Sequence, residues 1–234
     1  MKNACLVRGD FSGDGAVCIE GDRIAGVWTE GGDCGSPSAA ARAECPDADS
    51  IDLGGKILMA GGIDAHVHFR EPGFTWKADI ASESAAALKG GVTSFIDMPN
   101  TRPATVSLEA LKDKLERAGR TSFCNYGFHL GATNGNAGAI RKYINEGYGN
   151  MFGGIKVFMG SSTGNMLVDK DSVLEEIFSV KGKPVLVHSE DEALVKAGLE
   201  SARNRFGDDI PIGMHPQIRS RLACIRSTAK ALEM

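Results

Sequence analysis

The chain has 234 residues, 42% of them hydrophobic and 24% charged, with a formal net charge of −4. That balance is ordinary for a globular protein and leaves no basic footprint for nucleic acid. Apolar runs are broken by Gly, Asp or Lys well before they could span a bilayer, which argues against a membrane partner. Met1–Asp10 lacks the apolar core of a secretion signal. Six cysteines (Cys5, Cys18, Cys34, Cys45, Cys124, Cys224) are scattered with no Cys-x-x-Cys spacing. They read as idle thiols in a reducing cytoplasm, not as a disulfide frame.

In chain order, Ala16–Trp28 reads as a β-hairpin, two apolar runs about a Gly-Asp turn. Residues 31–50 are Gly-, Ala-, Ser- and Asp-rich and read as a loose loop, with a further short strand near Ile51. Residues 1–55 are therefore expected to form a small β-sheet annex, part of a β-sandwich, without evident chemistry. From residue 56 strands and helices alternate. The predicted strands are Ile57–His68, Val92–Met98, Phe123–Gly131, Phe152–Phe158 and Pro184–His188. The predicted helices are Lys77–Lys89, Leu108–Ala118, Ala137–Glu146, Ser172–Val180 and Glu192–Arg203, with a last one about Pro216–Glu233.

This alternation predicts a parallel sheet with helices outside it. The distinctive residues fall at strand carboxyl ends, as active sites do in (β/α)₈ TIM-type barrels. An open doubly wound sheet is the alternative, but the Gly-rich turn expected after its first strand is missing. Residues 56–234 hold five to six strand-helix units. A closed barrel needs eight and typically ~250 residues, so the expectation is the N-terminal part of a metal-dependent hydrolase barrel.

His66 and His68 alternate on the first of these strands, so both imidazoles would face one side, with Arg70 next on that side. Two neutral imidazoles suit a transition metal, zinc first. A planar guanidinium just beyond suits a carboxylate. The bland alternative is a surface strand with two unrelated histidines. His188 closes the apolar run Val185–Val187, a good place for a metal ligand and equally for a capping or core histidine. Lys156 lies within Ile155-Lys156-Val157-Phe158, a strand that should be buried. Burying an ammonium is costly unless it is paired or neutralised. Either an interior carboxylate pairs with it, or its neutral amine has reacted with carbon dioxide to give a carbamate able to bridge two metals.

Four segments in order carry a resemblance: Asp64–Gly73, Asp97–Thr101, Gly154–Gly164 and Val187–Glu190. Together they resemble the dihydroorotases of the amidohydrolase superfamily. The resemblance implies His66 and His68 on a first zinc, carboxylated Lys156 bridging two zincs, and His188 on the second. It implies Arg70 and Asn100 on the substrate carboxylate. The expected reaction is the reversible zinc-dependent hydrolysis of dihydroorotate to N-carbamoyl-aspartate in pyrimidine synthesis. A small-molecule partner is expected, and a homodimer is left open.

Hydantoinases and dihydropyrimidinases handle rings without that carboxylate and usually lack this Arg. Allantoinases typically carry Asn in place of Arg70. The family's general acid/base Asp and a further His come from later strands, so no catalytic acid/base is expected before Met234 and the isolated chain is expected to show little activity. A non-catalytic dihydroorotase-like chain is the remaining alternative. His129 reads as a packing residue at the end of the third strand, and His215 as a loop residue.

Overall fold

The computed structural model describes residues 1–30, 36–160 and 166–234. Cys34 and the Ser161–Gly164 part of the third segment lie outside the described residues. The chain divides into two compact units, Met1–Gly61 and Gly62–Met234.

The first unit is a four-stranded sheet in the order β3-β2-β1-β4. Its strands are β1 (Ala4–Arg8), β2 (Phe11–Glu20), β3 (Arg23–Thr29) and β4 (Ile57–Met59). β2 and β3 form the expected antiparallel hairpin, turning at Gly21, whose φ of +60° a side chain would resist. Three expectations need correction. Helix α1 (Pro37–Glu44) occupies part of the predicted loop. Ser36 caps it by accepting from the Ala39 amide, and Pro37 opens it with a preset φ. Near Ile51 there is only an isolated bridge, Lys2 with Asp52, and the fourth strand comes later. β4 pairs in parallel with β1, which places the unit boundary after Gly61 and not at residue 55.

The second unit holds β5 (Gly62–Val67), α2 (Ile80–Lys89), β6 (Val92–Asp97), α3 (Leu108–Thr121), β7 (Asn125–Phe128) and β8 (Leu130–Gly131). It continues with α4 (Ala137–Asn145), β9 (Ile155–Phe158), α5 (Asp171–Phe178), β10 (Val185–His188), α6 (Glu192–Phe206), α7 (His215–Ile218) and α8 (Arg221–Glu233). The strands form two parallel sheets, β5-β6-β7 and β8-β9-β10. Each sheet follows sequence order, and His129 alone separates β7 from β8. The predicted strand Ile57–His68 is thus two strands in different units, and the predicted third strand breaks at His129.

The helices start where local chemistry dictates. Asp79 and Ser82 form a reciprocal capping box on α2, and Ser107 caps α3. α3 buries Leu108, Leu111, Lys114 and Ala118, positions at helical spacing along one face. The core beneath is aromatic and aliphatic. Phe95 lies between Phe69 and Phe128, at centroid distances of 4.4 and 6.5 Å. Ile155, Val157, Leu174 and Ile177 continue it below the later strands.

Candidate metal and substrate site

His66 lies within β5 and His68 one residue past its end. Their ring centroids are 5.5 Å apart with planes tilted by 55°. Asn100 lies beyond the end of β6, and its Oδ1 is 2.9 Å from His68 Nδ1. An amide oxygen only accepts, so Nδ1 carries the proton and Nε2 keeps its lone pair. Both imidazoles are held below the usual histidine value. Burial is the main cause for each, followed by the Lys156 charge at His66 and the Arg70 charge at His68. They are therefore neutral at pH 7, the form that binds metals.

Lys156 is 1% exposed on β9, between Gly131 of β8 and Leu186 of β10 in the ladder. Its amine makes no hydrogen bond or ion pair with any described residue and stands 4.9 Å from the Phe158 ring centre. Burial pushes the amine down to about 8. Of the two readings that the sequence leaves open, the interior carboxylate finds no partner among the described residues. The Lys156 charge acts on both His66 and His129 and lowers the pKa of each.

His188 ends β10, its ring 5.9 Å from that of Phe158, and its charge also acts on His66. His188 Nε2 is 2.8 Å from Glu190 Oε2, and Arg219 pairs with the same oxygen. With Glu190 Oε2 accepting from it, Nε2 carries the proton, and Nδ1 keeps its lone pair.

Arg70 requires a correction. Alternation along a strand does not carry it to the side of the histidines, because β5 stops at Val67. Arg70 instead takes a left-handed turn at φ +69°. Few side chains adopt that region without support from their surroundings. The turn places its guanidinium near enough to depress the His68 pKa. Three residues on, Gly73 also turns left-handed, and a Cβ there would sit 2.1 Å from the Arg102 carbonyl oxygen. Arg102 in turn donates to the Pro72 carbonyl, tying this turn to the segment that carries Asn100.

His129 is buried, with Nε2 3.0 Å from the Ala65 carbonyl and Nδ1 without a hydrogen-bond partner among the described residues. The ring thus links the end of β7 to β5, across the intervening β6. His215 is exposed and opens the short helix α7, which corrects its reading as a loop residue.

Sequence reasoning missed two pairs. Asp97 and Lys114 form an ion pair of 2.5 Å at 1% and 0% side-chain exposure. Lys114 recurs with Leu111 and Ala118 on the buried face of α3, a signal legible in the sequence. Glu190 with Arg219 joins residues on separate elements, and no local pattern announces it.

Residues 57–227 match the model of the Amidohydrolase family, and the chain belongs to that family. Within it the chain is dihydroorotase-like. It is 34% identical over 186 residues to a dihydroorotase of Methanosarcina acetivorans, covering 79% of this chain and 38% of that protein. It is 30% identical over 217 residues to an L-hydantoinase of Paenarthrobacter aurescens, covering 90% of this chain and 44% of that one. In structure it resembles an L-hydantoinase (dihydropyrimidinase) from Arthrobacter aurescens, with a TM-score of 0.81 and 27% identity, over 99% of this chain and 49% of that one. The chain thus spans less than half the length of these relatives.

Proposed function

We propose that the chain supplies the metal-binding and carboxylate-reading half of a zinc-dependent dihydroorotase. The sheets would then form the first strands of a (β/α)₈ barrel, with the first unit as its β-sandwich annex. The observation that carries the reading is Lys156, a buried amine on β9 without a carboxylate partner among the described residues, whose charge acts on His66.

The donor set fits a pair of divalent cations. No three His, Cys, Asp or Glu side chains among the described residues meet as one metal site. In this reading His66 and His68 would hold one ion and His188 the other, with carboxylated Lys156 between them. His68 Nε2 and His188 Nδ1 each lie outside the hydrogen bond that fixes their ring. A lysine amine held at about 8 is neutral often enough near neutral pH to react with carbon dioxide. When bound, two zinc ions supply an activated water and a Lewis acid for the ring amide.

The chain's own residues do the positioning. Asn100 uses its oxygen to orient His68, leaving Nδ2 to donate to an anion. Arg70 makes no ion pair or side-chain hydrogen bond with the described residues, so its fork is available to the same anion. Together they would hold the dihydroorotate carboxylate and present the ring for hydrolysis to N-carbamoyl-aspartate, or for closure in reverse.

A hydantoinase is the second reading, favoured by the structural likeness to the L-hydantoinase. Affinities of the zinc-loaded chain for dihydroorotate, hydantoin, dihydrouracil and allantoin separate the two. Dihydroorotate should bind best, and Arg70→Asn should weaken it about 10- to 100-fold with zinc retained, the scale of a lost charge-assisted contact. Equal affinity for hydantoin, or an unchanged Arg70→Asn variant, rejects the dihydroorotate reading.

A further inference from the structure

We propose that Asp97 and Lys114 are a positioning pair that sets His68 and Arg70 against Asn100, an inference resting on the reading of those three as site residues. A buried ion pair is seldom more stabilising than apolar residues of the same shape. What this one holds is therefore informative. Asp97 Oδ1 accepts the Phe69 amide at 2.9 Å, and Lys114 Nζ donates to the Met98 carbonyl at 2.9 Å. β5 ends at Val67 and β6 at Asp97, so Phe69 and Met98 both lie just past their strands. Each would otherwise leave the group now bound by the pair without a ladder partner.

The links close a ring. Phe69 follows His68 and precedes Arg70, so the Asp97 carboxylate grips the chain between the two. Three residues after Asp97, Asn100 reaches back to His68 Nδ1. Lys114 approaches from α3, with the Phe128 ring 4.8 Å away. It thereby ties the end of β6 to the helix outside it. The left-handed turn at Arg70 begins directly at this clamp, which explains how an unfavourable backbone conformation is held in place. No hydrogen bond or ion pair among the described residues joins the pair to the side chains of His68, Arg70 or Asn100, although the Asp97 charge is felt at His68 and raises its pKa against the effect of burial. The pair acts through the backbone of its neighbours.

Two double variants isolate the clamp without stranding a buried charge. D97N/K114M removes both charges and keeps an oxygen for the Phe69 amide. D97V/K114M also removes both charges but removes that oxygen. Zinc affinity is measured by calorimetry on each full chain. The His68 Nδ1–H signature is read by nitrogen-15 NMR without metal and assigned by comparison with His68→Gln. Urea midpoints are recorded for both.

D97N/K114M should bind zinc within about threefold of the parent chain and keep the His68 signature. D97V/K114M should lose tenfold or more in zinc affinity and lose that signature, at a urea midpoint matching D97N/K114M. Equal affinities and equal signatures in the two would overturn the proposal and leave the pair merely structural. If the valine chain does not fold, D97A/K114M takes its place with the same criteria. A parent chain that binds no zinc would sink the functional reading, and the NMR comparison would still decide this one.

Discussion

His68 and His188 are both imidazoles at strand carboxyl ends, yet they are held in opposite ways. The half-buried His68 is fixed through Nδ1 by a neutral amide, within a loop clamped by a buried ion pair. His188 is 40% exposed and fixed through Nε2 by a carboxylate that Arg219 also grips. The neighbour, not the histidine, decides which nitrogen is offered: Nε2 from His68 and Nδ1 from His188. It also sets the electrical environment. Arg70 and burial push protons off His68, whereas Glu190 places a negative charge beside His188. One arm is half-buried and tied to a buried ion pair. The other is more exposed and leans on the Glu190–Arg219 ion pair.

The largest effect should come from breaking the buried arm. Lys114→Met alone leaves the Asp97 carboxylate unpaired at 1% exposure. It should cost about 3–5 kcal/mol in urea unfolding. A loss under 1 kcal/mol would show that Asp97 finds other compensation.

Lys156→Met should act in the opposite direction and stabilise the chain. The amine titrates at about 8 when folded, against 10.5 for an unperturbed lysine. Between those values the unfolded chain binds more protons, so wild-type stability rises with pH there, and below 8 the cost of the buried charge is fully present. Removing the amine should gain about 3 kcal/mol at pH 7. The gain should shrink as pH climbs through the window, as followed by urea melts at pH 7, 9 and 10.5.

The exposed arm should respond less. Glu190→Ala frees the His188 ring and should weaken zinc binding about 10- to 100-fold, the usual cost of losing such an orienting partner. Glu190→Gln keeps an oxygen for Nε2–H and should lose less, both read by calorimetry. The smallest effect is a pH shift. His66 and His68 sit below 6.5 when folded, so as pH falls through 6.5 the unfolded state takes up protons first and the metal-free chain loses stability. His68→Gln should flatten that acid limb slightly. An unchanged limb would place the protonation elsewhere.

The parts of the site that lie on strand ends were legible from residue order. His66 and His68 follow an apolar run, His188 closes one, and Lys156 interrupts one. The α/β alternation was legible for the same reason, since apolar period and Gly punctuation are local. What could not be read depends on contacts across the chain. Arg70 sits by the site through a left-handed turn that no residue pattern around it requires. Glu190 serves His188 only with Arg219 beside it, and Asp97 is explained only once Lys114 arrives from α3. Helix α1 was missed for another reason. Its small residues carry no strong apolar face, and its start signal, Ser36 then Pro37, is equally compatible with a turn in a Gly-, Ala- and Ser-rich stretch.

Zinc titration of the full chain with and without bicarbonate, beside Lys156→Met under the same conditions, tests the central claim most directly. The account predicts uptake approaching two zinc ions per chain that requires bicarbonate and falls to one or fewer in the variant. Zinc binding indifferent to bicarbonate and unchanged by Lys156→Met would contradict it.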